Sequence, residues 1–181
     1  LFARQGYAAT SVEQVVAACG IGKDTIYRRF PSKAALFESV VDQARQRTVA
    51  HLDQALDVKG EPLHRLKIVA RWFLQVNLDP ELTALRRIAF SEAIVLTGIT
   101  APKGPDPLLT RLADLIRAAQ DAGQIEASDA DFLAQYLINA VVAGPSTEAM
   151  LGGTAYKDQT QQDEYFAAAW ALFMNGAAKH I

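Results

Sequence analysis

LFARQGYAATSVEQVVAACGIGKDTIYRRFPSKAALFESVVDQAR, residues 1–45, is punctuated so closely that few structures fit it. Thr10 is a good N-cap and Glu13 completes a capping box. Together they predict a helix from Ser11 with Val12, Val15, Val16 and Cys19 on one apolar stripe. Gly20 can end that helix in the left-handed conformation, and Gly22 can N-cap the next. The second helix, Lys23 to Phe30, turns Ile26 and Phe30 inward at i and i+4. Lys23, Asp24, Thr25, Tyr27, Arg28 and Arg29 are left mainly on its outer faces. Pro31 disfavours helix at the residue before it, and Ser32 caps a third helix with Leu36, Phe37, Val40, Val41 and Ala44 on its stripe.

Two short helices joined by a glycine turn, the second carrying basic and hydroxyl side chains, match the motif whose second helix enters the DNA major groove. Arginine and lysine reach guanine acceptors or phosphates. Threonine can meet a thymine methyl or a phosphate, and tyrosine hydroxyls commonly hold phosphate oxygens. The competing reading, a merely solvated helix face, suits an isolated charged helix better than this whole arrangement.

The run F-x-x-x-G-Y-x-x-T-S-V, here Phe2, Gly6, Tyr7, Thr10, Ser11 and Val12, leads into C-G-I-G-K-D-T-I-Y-R-R-F-P-S-K-A-A-L-F. This pattern closely resembles the signature of the TetR/AcrR family of transcriptional regulators. The resemblance implies that Thr25, Tyr27, Arg28 and Arg29 contact DNA, with Lys23 and Asp24 on the same helix, and that Lys33 grips a phosphate. Thr10 and Ser11 would sit at a helix N-terminus near the DNA backbone, where free amides favour anions. Two positions depart from the family pattern: Asp24 stands where glycine is frequent, and Ala35 where glutamate is frequent. A carboxylate at 24 repels phosphate unless it accepts from a cytosine amine. The chain begins at Leu1 in the middle of what the resemblance marks as the first helix, so a preceding stretch is expected in the natural protein.

Composition agrees with an intracellular, all-α protein placed in the cytoplasm: 181 residues, 50% hydrophobic and 21% charged. The net charge of −2 conceals an asymmetry. Residues 1–47 hold seven Lys/Arg and four Asp/Glu, so this segment is +3 and the remainder −5, and the positive part is where DNA would lie. Cys19 is the only cysteine, which excludes an intramolecular disulfide framework. No apolar run reaches membrane-spanning length, so no membrane partner is expected.

The helix after Ser32 continues to about Leu56, and Gly60 to Pro62 separates a head, residues 1–47, from a second domain, residues 61–181. Five further helices are predicted there. They run from Leu63 to Leu78, from Pro80 to Leu96, from Asp106 to Gly123, from Ser128 through a kink at Pro145 to Gly152 and Gly153, and from Thr160 onward. Residues 98–107, GITAPKGPDP, predict a surface loop.

The last helix is apolar nearly all round, with Phe166, Trp170 and Phe173 on one side and Tyr165, Ala168 and Leu172 on another. Such a helix needs cover on two sides, which its own domain can hardly supply at the chain's end, so a homodimer is expected, with burial inside one subunit as the alternative. The resemblance implies the dimer, a four-helix bundle built from residues 128–152 and 161–178, with Phe132, Tyr136, Phe166, Trp170 and Phe173 in the seam. It also implies an effector pocket, with Trp72, Val76, Phe90, Ile94, Leu112, Ile116, Leu137 and Val141 as candidate lining. Filled core is the alternative for each of these. Glu92, on an apolar stripe with no basic residue three or four positions away, either pairs with an arginine from another helix or faces a ligand. Asn139 is a second polar residue within an apolar helix. Residues 82–125 look similar to the AefR-like subgroup of TetR C-terminal domains.

Catalysis finds no footing in the sequence. His51, His64 and His180 lack metal-ligand spacing, and no serine lies in a nucleophile elbow. The fragment G-I-G-K-D-T fails the phosphate-loop pattern, because Ala17 stands where a glycine is required and Asp24 where Ser or Thr is. No cofactor or metal is implied. Two functions remain. The first is a homodimeric repressor that leaves a palindromic double-stranded DNA operator when a small apolar or amphipathic effector binds. The alternative is an all-helical small-molecule-binding protein or enzyme retaining a vestigial helix-turn-helix.

Overall fold

The computed structural model describes residues 1–56, 59–92 and 106–177, which are helical with no strand. They form two compact units. One holds Leu1–Arg47 and the helix Pro80–Ser91; the other holds Thr48–Asp79 and the described residues from Asp106 onward. The sequence reading drew its boundary at Gly60 and so assigned Pro80–Ser91 to the second domain. That helix instead buries Leu85 and Ile88 in the head, against Phe2, Val12, Ile26, Leu36 and Phe37.

The head comprises α1 (Phe2–Gln5), α2 (Val12–Cys19), α3 (Lys23–Arg29), the start of α4 (Lys33–Leu56) and α6 (Pro80–Ser91). Its centre is aromatic. Phe37 is fully buried, with Phe2 and Tyr7 edge-on to it at 5.2 and 5.5 Å between ring centroids. Burying one such phenyl ring contributes about 1.5–3 kcal/mol. The cap of α2 falls one residue later than expected. Ser11 Oγ accepts the Gln14 N–H at 3.1 Å, and Gln14 Oε1 accepts the Ser11 N–H at 2.8 Å. Thr10 is unavailable as a cap because its side chain is turned inward, donating to the Gly6 carbonyl at 2.7 Å with 1% of the residue exposed.

Gly20 ends α2 at φ 65°, ψ 26°, a left-handed conformation that costs other residues about 1–2 kcal/mol. Cys19 lies on the predicted stripe yet is exposed. The last turn of α2 overhangs an open cleft of about 300 Å³ lined by Val15, Ala18, Cys19, Leu36 and Leu85 among others, so no neighbour covers the thiol.

The second unit packs around α5 (Pro62–Asn77). Leu66, Val69, Ala70, Phe73 and Leu74 are buried along one side of it. Against these lie α7 (Pro107–Asp121), α8 (Ala130–Ile138), a π-helical turn (Asn139–Ala143), α9 (Gly144–Met150) and α10 (Gln159–Ala177). Gln124 Oε1 accepts the Leu63 N–H at 3.0 Å, satisfying one of the free amides that open α5. Asp106 caps α7 through the Leu108 N–H as expected.

Two other caps differ from the sequence reading. Asp129, not Ser128, accepts the N–H groups of Asp131 and Phe132. Asp158, not Thr160, accepts the Gln161 N–H at 2.9 Å. In both cases a carboxylate outcompetes a nearby hydroxyl at a helix N-terminus, where its negative charge is also favoured. The kink expected at Pro145 takes the form of the π-helical turn just before it. Proline lacks an N–H, and its ring crowds the carbonyl one turn back, so the chain widens there.

Candidate nucleic-acid interface

Only Ile26 of α3 is buried. Lys23, Asp24, Thr25, Tyr27, Arg28 and Arg29 are all exposed, while Phe30 closes the helix half-buried. Inward apolar contact and outward donors thus separate cleanly on a seven-residue helix. Arg28 and Arg29 sit in its last turn, where cations suit the helix dipole.

Three charged or polar groups converge on one face. Lys23 Nζ lies 2.9 Å from Glu13 Oε1 on α2, and the Tyr27 hydroxyl donates to the same oxygen at 3.1 Å. The ammonium also stands 5.5 Å from the centroid of the Tyr27 ring. The hydrogen bond from Lys23 is the main cause holding the Glu13 carboxyl down at about 2, with backbone and Tyr27 hydrogen bonds adding to it. Reciprocally, Glu13 raises Lys23 above its ordinary value. Sequence reading placed Glu13 in a capping box and missed this cluster. The available signal was the i, i+4 spacing of Lys23 and Tyr27, which presents both to one neighbour.

Three of the residues expected to contact DNA are engaged inside the head. Lys33, read as a phosphate grip, is half-buried. Its ammonium donates to the Tyr7 carbonyl at 2.9 Å and lies 4.4 Å from the centroid of the Tyr7 ring. It therefore fastens the turn before α2. Thr10 is buried, as described, and does not present its hydroxyl outward. Ser11 is half-buried, with its oxygen committed to the α2 cap.

Glu92 is half-buried in the turn after α6 and belongs to the head. Burial first, and then the charges of Glu92 and Glu38, raise the pKa of the Tyr7 hydroxyl. The candidate pocket lining is divided between the two units. Phe90 is also in the head and 67% exposed, because it falls on the side of α6 away from Leu85 and Ile88. Leu112, Ile116, Leu137 and Val141 are fully buried members of one packed cluster in the second unit. Trp72 is half-buried against that cluster, and Val76 is half-buried. Ile94 lies outside the described residues.

The dimer seam read from the sequence also needs correction. Phe166, Trp170 and Phe173 are 3%, 8% and 1% exposed within a single subunit, held by the core that includes α5. Arg71 supports the same contact by pairing with Asp163 and lying over the Phe166 ring. The large apolar side chains left outward in these segments are Phe132 and Tyr136, stacked at 6.3 Å on α8, Leu151 just after α9, and Leu172 on α10. Asn139 is exposed and accepts from Gln135 at 3.2 Å. Among the described residues no cluster of three potential metal ligands occurs, and no helix is long and apolar enough to cross a membrane.

Comparison with known proteins agrees along the chain. A family model described as bacterial regulatory proteins, tetR family, matches residues 1–40. A second, AefR-like transcriptional repressor, C-terminal domain, matches residues 64–176. A crystal structure of a tetR-family regulator from Mesorhizobium loti MAFF303099 superposes with a TM-score of 0.81 at 24% identity, covering 98% of this chain and 91% of that one. The flavonoid-responsive regulator FrrA gives a TM-score of 0.71 at 26% identity over 100% and 93% of the two chains. The nucleoid occlusion factor SlmA of Vibrio atlanticus (strain LGP32) is 24% identical over 155 residues, which is 84% of this chain and 77% of that protein. With the same factor from Vibrio vulnificus (strain YJ016) the match spans 82 residues, 42% of its length.

Proposed function

Because the chain belongs to the TetR family of bacterial regulators, with the C-terminal domain of AefR-like transcriptional repressors, we propose that it is a homodimeric repressor that releases a palindromic operator when a small molecule binds. The observation that carries the DNA-reading part is α3 itself. Ile26 anchors it, and the outward face presents Lys23, Thr25, Tyr27, Arg28 and Arg29 together. A vestigial head would have no use for such a concentration of exposed donors on one short helix. Two copies related by a two-fold axis place two such helices about one DNA turn apart, which matches a palindrome.

Release follows from linkage. An effector lowers operator affinity only by binding more tightly to an arrangement of the two heads that does not fit DNA. The apolar character of the C-terminal unit favours an apolar or amphipathic effector, and the structural relative FrrA is a flavonoid-responsive regulator. The test is selection of bound fragments from random or genomic DNA, followed by release titrations with a panel of apolar compounds. An enriched palindrome, lost when Lys23, Tyr27 and Arg28 are replaced together, is expected. No enriched sequence, or binding indifferent to those replacements, would overturn the reading.

A further inference from the structure

We infer that Glu13 is a built-in competitor of DNA: in the free protein its carboxylate occupies the place that a backbone phosphate oxygen takes on Lys23 and Tyr27 when DNA binds. The inference rests on the DNA-reading role of α3 argued above. An ammonium and a phenol hydroxyl converging on one anionic oxygen, at 2.9 and 3.1 Å, form a donor pair of the sort that holds a phosphate. Tyrosine has a single hydroxyl proton. While that proton is given to Glu13, Tyr27 cannot donate to a phosphate, so the carboxylate has to leave before the contact forms. Departure is easy because the pair is open to water, with the Lys23 and Glu13 side chains 59% and 55% exposed. Exposed pairs of this kind contribute little on their own. The α2 cap itself is completed by Ser11 and Gln14, although the Glu13 carboxylate also accepts its own backbone N–H in the first turn.

This exchange differs in measurable ways from two other roles. A permanent buttress would hold Lys23 and Tyr27 in place within the complex, and removing it would weaken binding. A diffuse negative charge would weaken binding regardless of whether Lys23 is present. In an exchange, DNA gains the Lys23 ammonium only as Glu13 loses it, so the counterion released from the phosphate is partly matched by a cation taken up at the freed carboxylate.

The experiment titrates the full chain into the selected operator and a scrambled duplex over a range of salt, using wild type, Glu13→Gln, Glu13→Asp, Lys23→Ala and the Glu13→Gln/Lys23→Ala double variant. Glu13→Gln is expected to tighten both duplexes about fivefold near physiological salt and to steepen the salt slope by up to about one unit. Glu13→Asp, which keeps the charge but shortens its reach, should also tighten binding. In the Lys23→Ala background, where only Tyr27 remains for Glu13 to hold, Glu13→Gln should tighten binding by clearly less than in the wild type. Thermal melts of each variant confirm that folding is retained. Weaker or unchanged binding by Glu13→Gln, wild-type behaviour of Glu13→Asp, or an equal gain with and without Lys23 would overturn the inference while leaving DNA reading intact. Failure of the wild type to prefer any duplex would instead overturn the DNA reading, and this inference with it.

Discussion

The Tyr165 hydroxyl on α10 donates to the Ala140 carbonyl in the π-helical turn at 2.7 Å. Pro145, lacking an N–H, leaves the carbonyls one turn back, Ala140 and Val141, with one donor fewer between them. Tyr165 supplies that donor from 25 residues away. A methyl group at Gly144 would stand 3.4 Å from the same hydroxyl, so the turn and the tyrosine are fitted closely to each other.

Tyr165→Phe should therefore destabilise the chain by about 1 kcal/mol, and by less in a Pro145→Ala background, where a backbone N–H returns. Urea unfolding of the four combinations measures this; equal losses in both backgrounds would separate Tyr165 from the proline. Burial raises the Tyr165 pKa above its ordinary value of 10.0. The stabilisation is accordingly complete below the unfolded value and lost as pH rises through the folded one, and Tyr165→Phe should remove that alkaline component.

Assembly is now testable at residues that do not hold the subunit together. Phe132 and Tyr136 are 65% and 52% exposed, so Phe132→Glu or Tyr136→Glu should leave the fold and its melting temperature nearly unchanged. If the exposed face of α8 is the dimer seam, both should shift sedimentation from dimer to monomer and lower operator affinity steeply. Phe173→Glu buries an unpaired charge and should unfold the subunit instead. Dimers persisting in both α8 variants would place the seam elsewhere.

Much of the head was legible in the sequence because local chemistry settles it. Gly20 has a positive φ, Ile26 is buried alone on a short helix, and Pro31 directly follows the Phe30 C-cap of α3. The misplaced features depend on partners distant in sequence. Thr10 offered as good a cap as Ser11 until its hydroxyl turned to Gly6, and Lys33 reads as a free cation until the Tyr7 carbonyl is placed beside it. Periodicity identified α10 as buried but could not say by what; its own subunit covers the side with Phe166, Trp170 and Phe173, and leaves Leu172 outward. The assignment of α6 to the head was invisible, since an apolar stripe such as Leu85 and Ile88 does not specify its partner.

Lys33 gives a prediction that separates anchoring from phosphate binding. Removing the ammonium from the Tyr7 carbonyl and ring should destabilise the head by about 1–2 kcal/mol, so Lys33→Ala should lower the melting temperature. The salt slope of DNA binding should stay nearly constant because the charge is already engaged. A slope lower by about one unit with unchanged stability would return Lys33 to a direct phosphate contact.

The Glu13 carboxyl is held down at about 2, chiefly by its hydrogen bond from Lys23, then by its own backbone N–H and by Tyr27. A lowered carboxyl pKa means that the cluster is fully formed above the ordinary value of 4.5 and is lost as pH falls through the folded value. Site-resolved NMR titration of the side-chain carboxyl should find Glu13 well below the ordinary value of 4.5. Lys23→Ala should raise it substantially towards the ordinary range, and Tyr27→Phe should raise it less. Since Glu13 stays charged throughout the neutral region, it should contribute nothing to any change in operator affinity between about pH 5 and 8. A wild-type Glu13 titrating at the ordinary value of 4.5 would show that the clamp on α3 is not populated in solution.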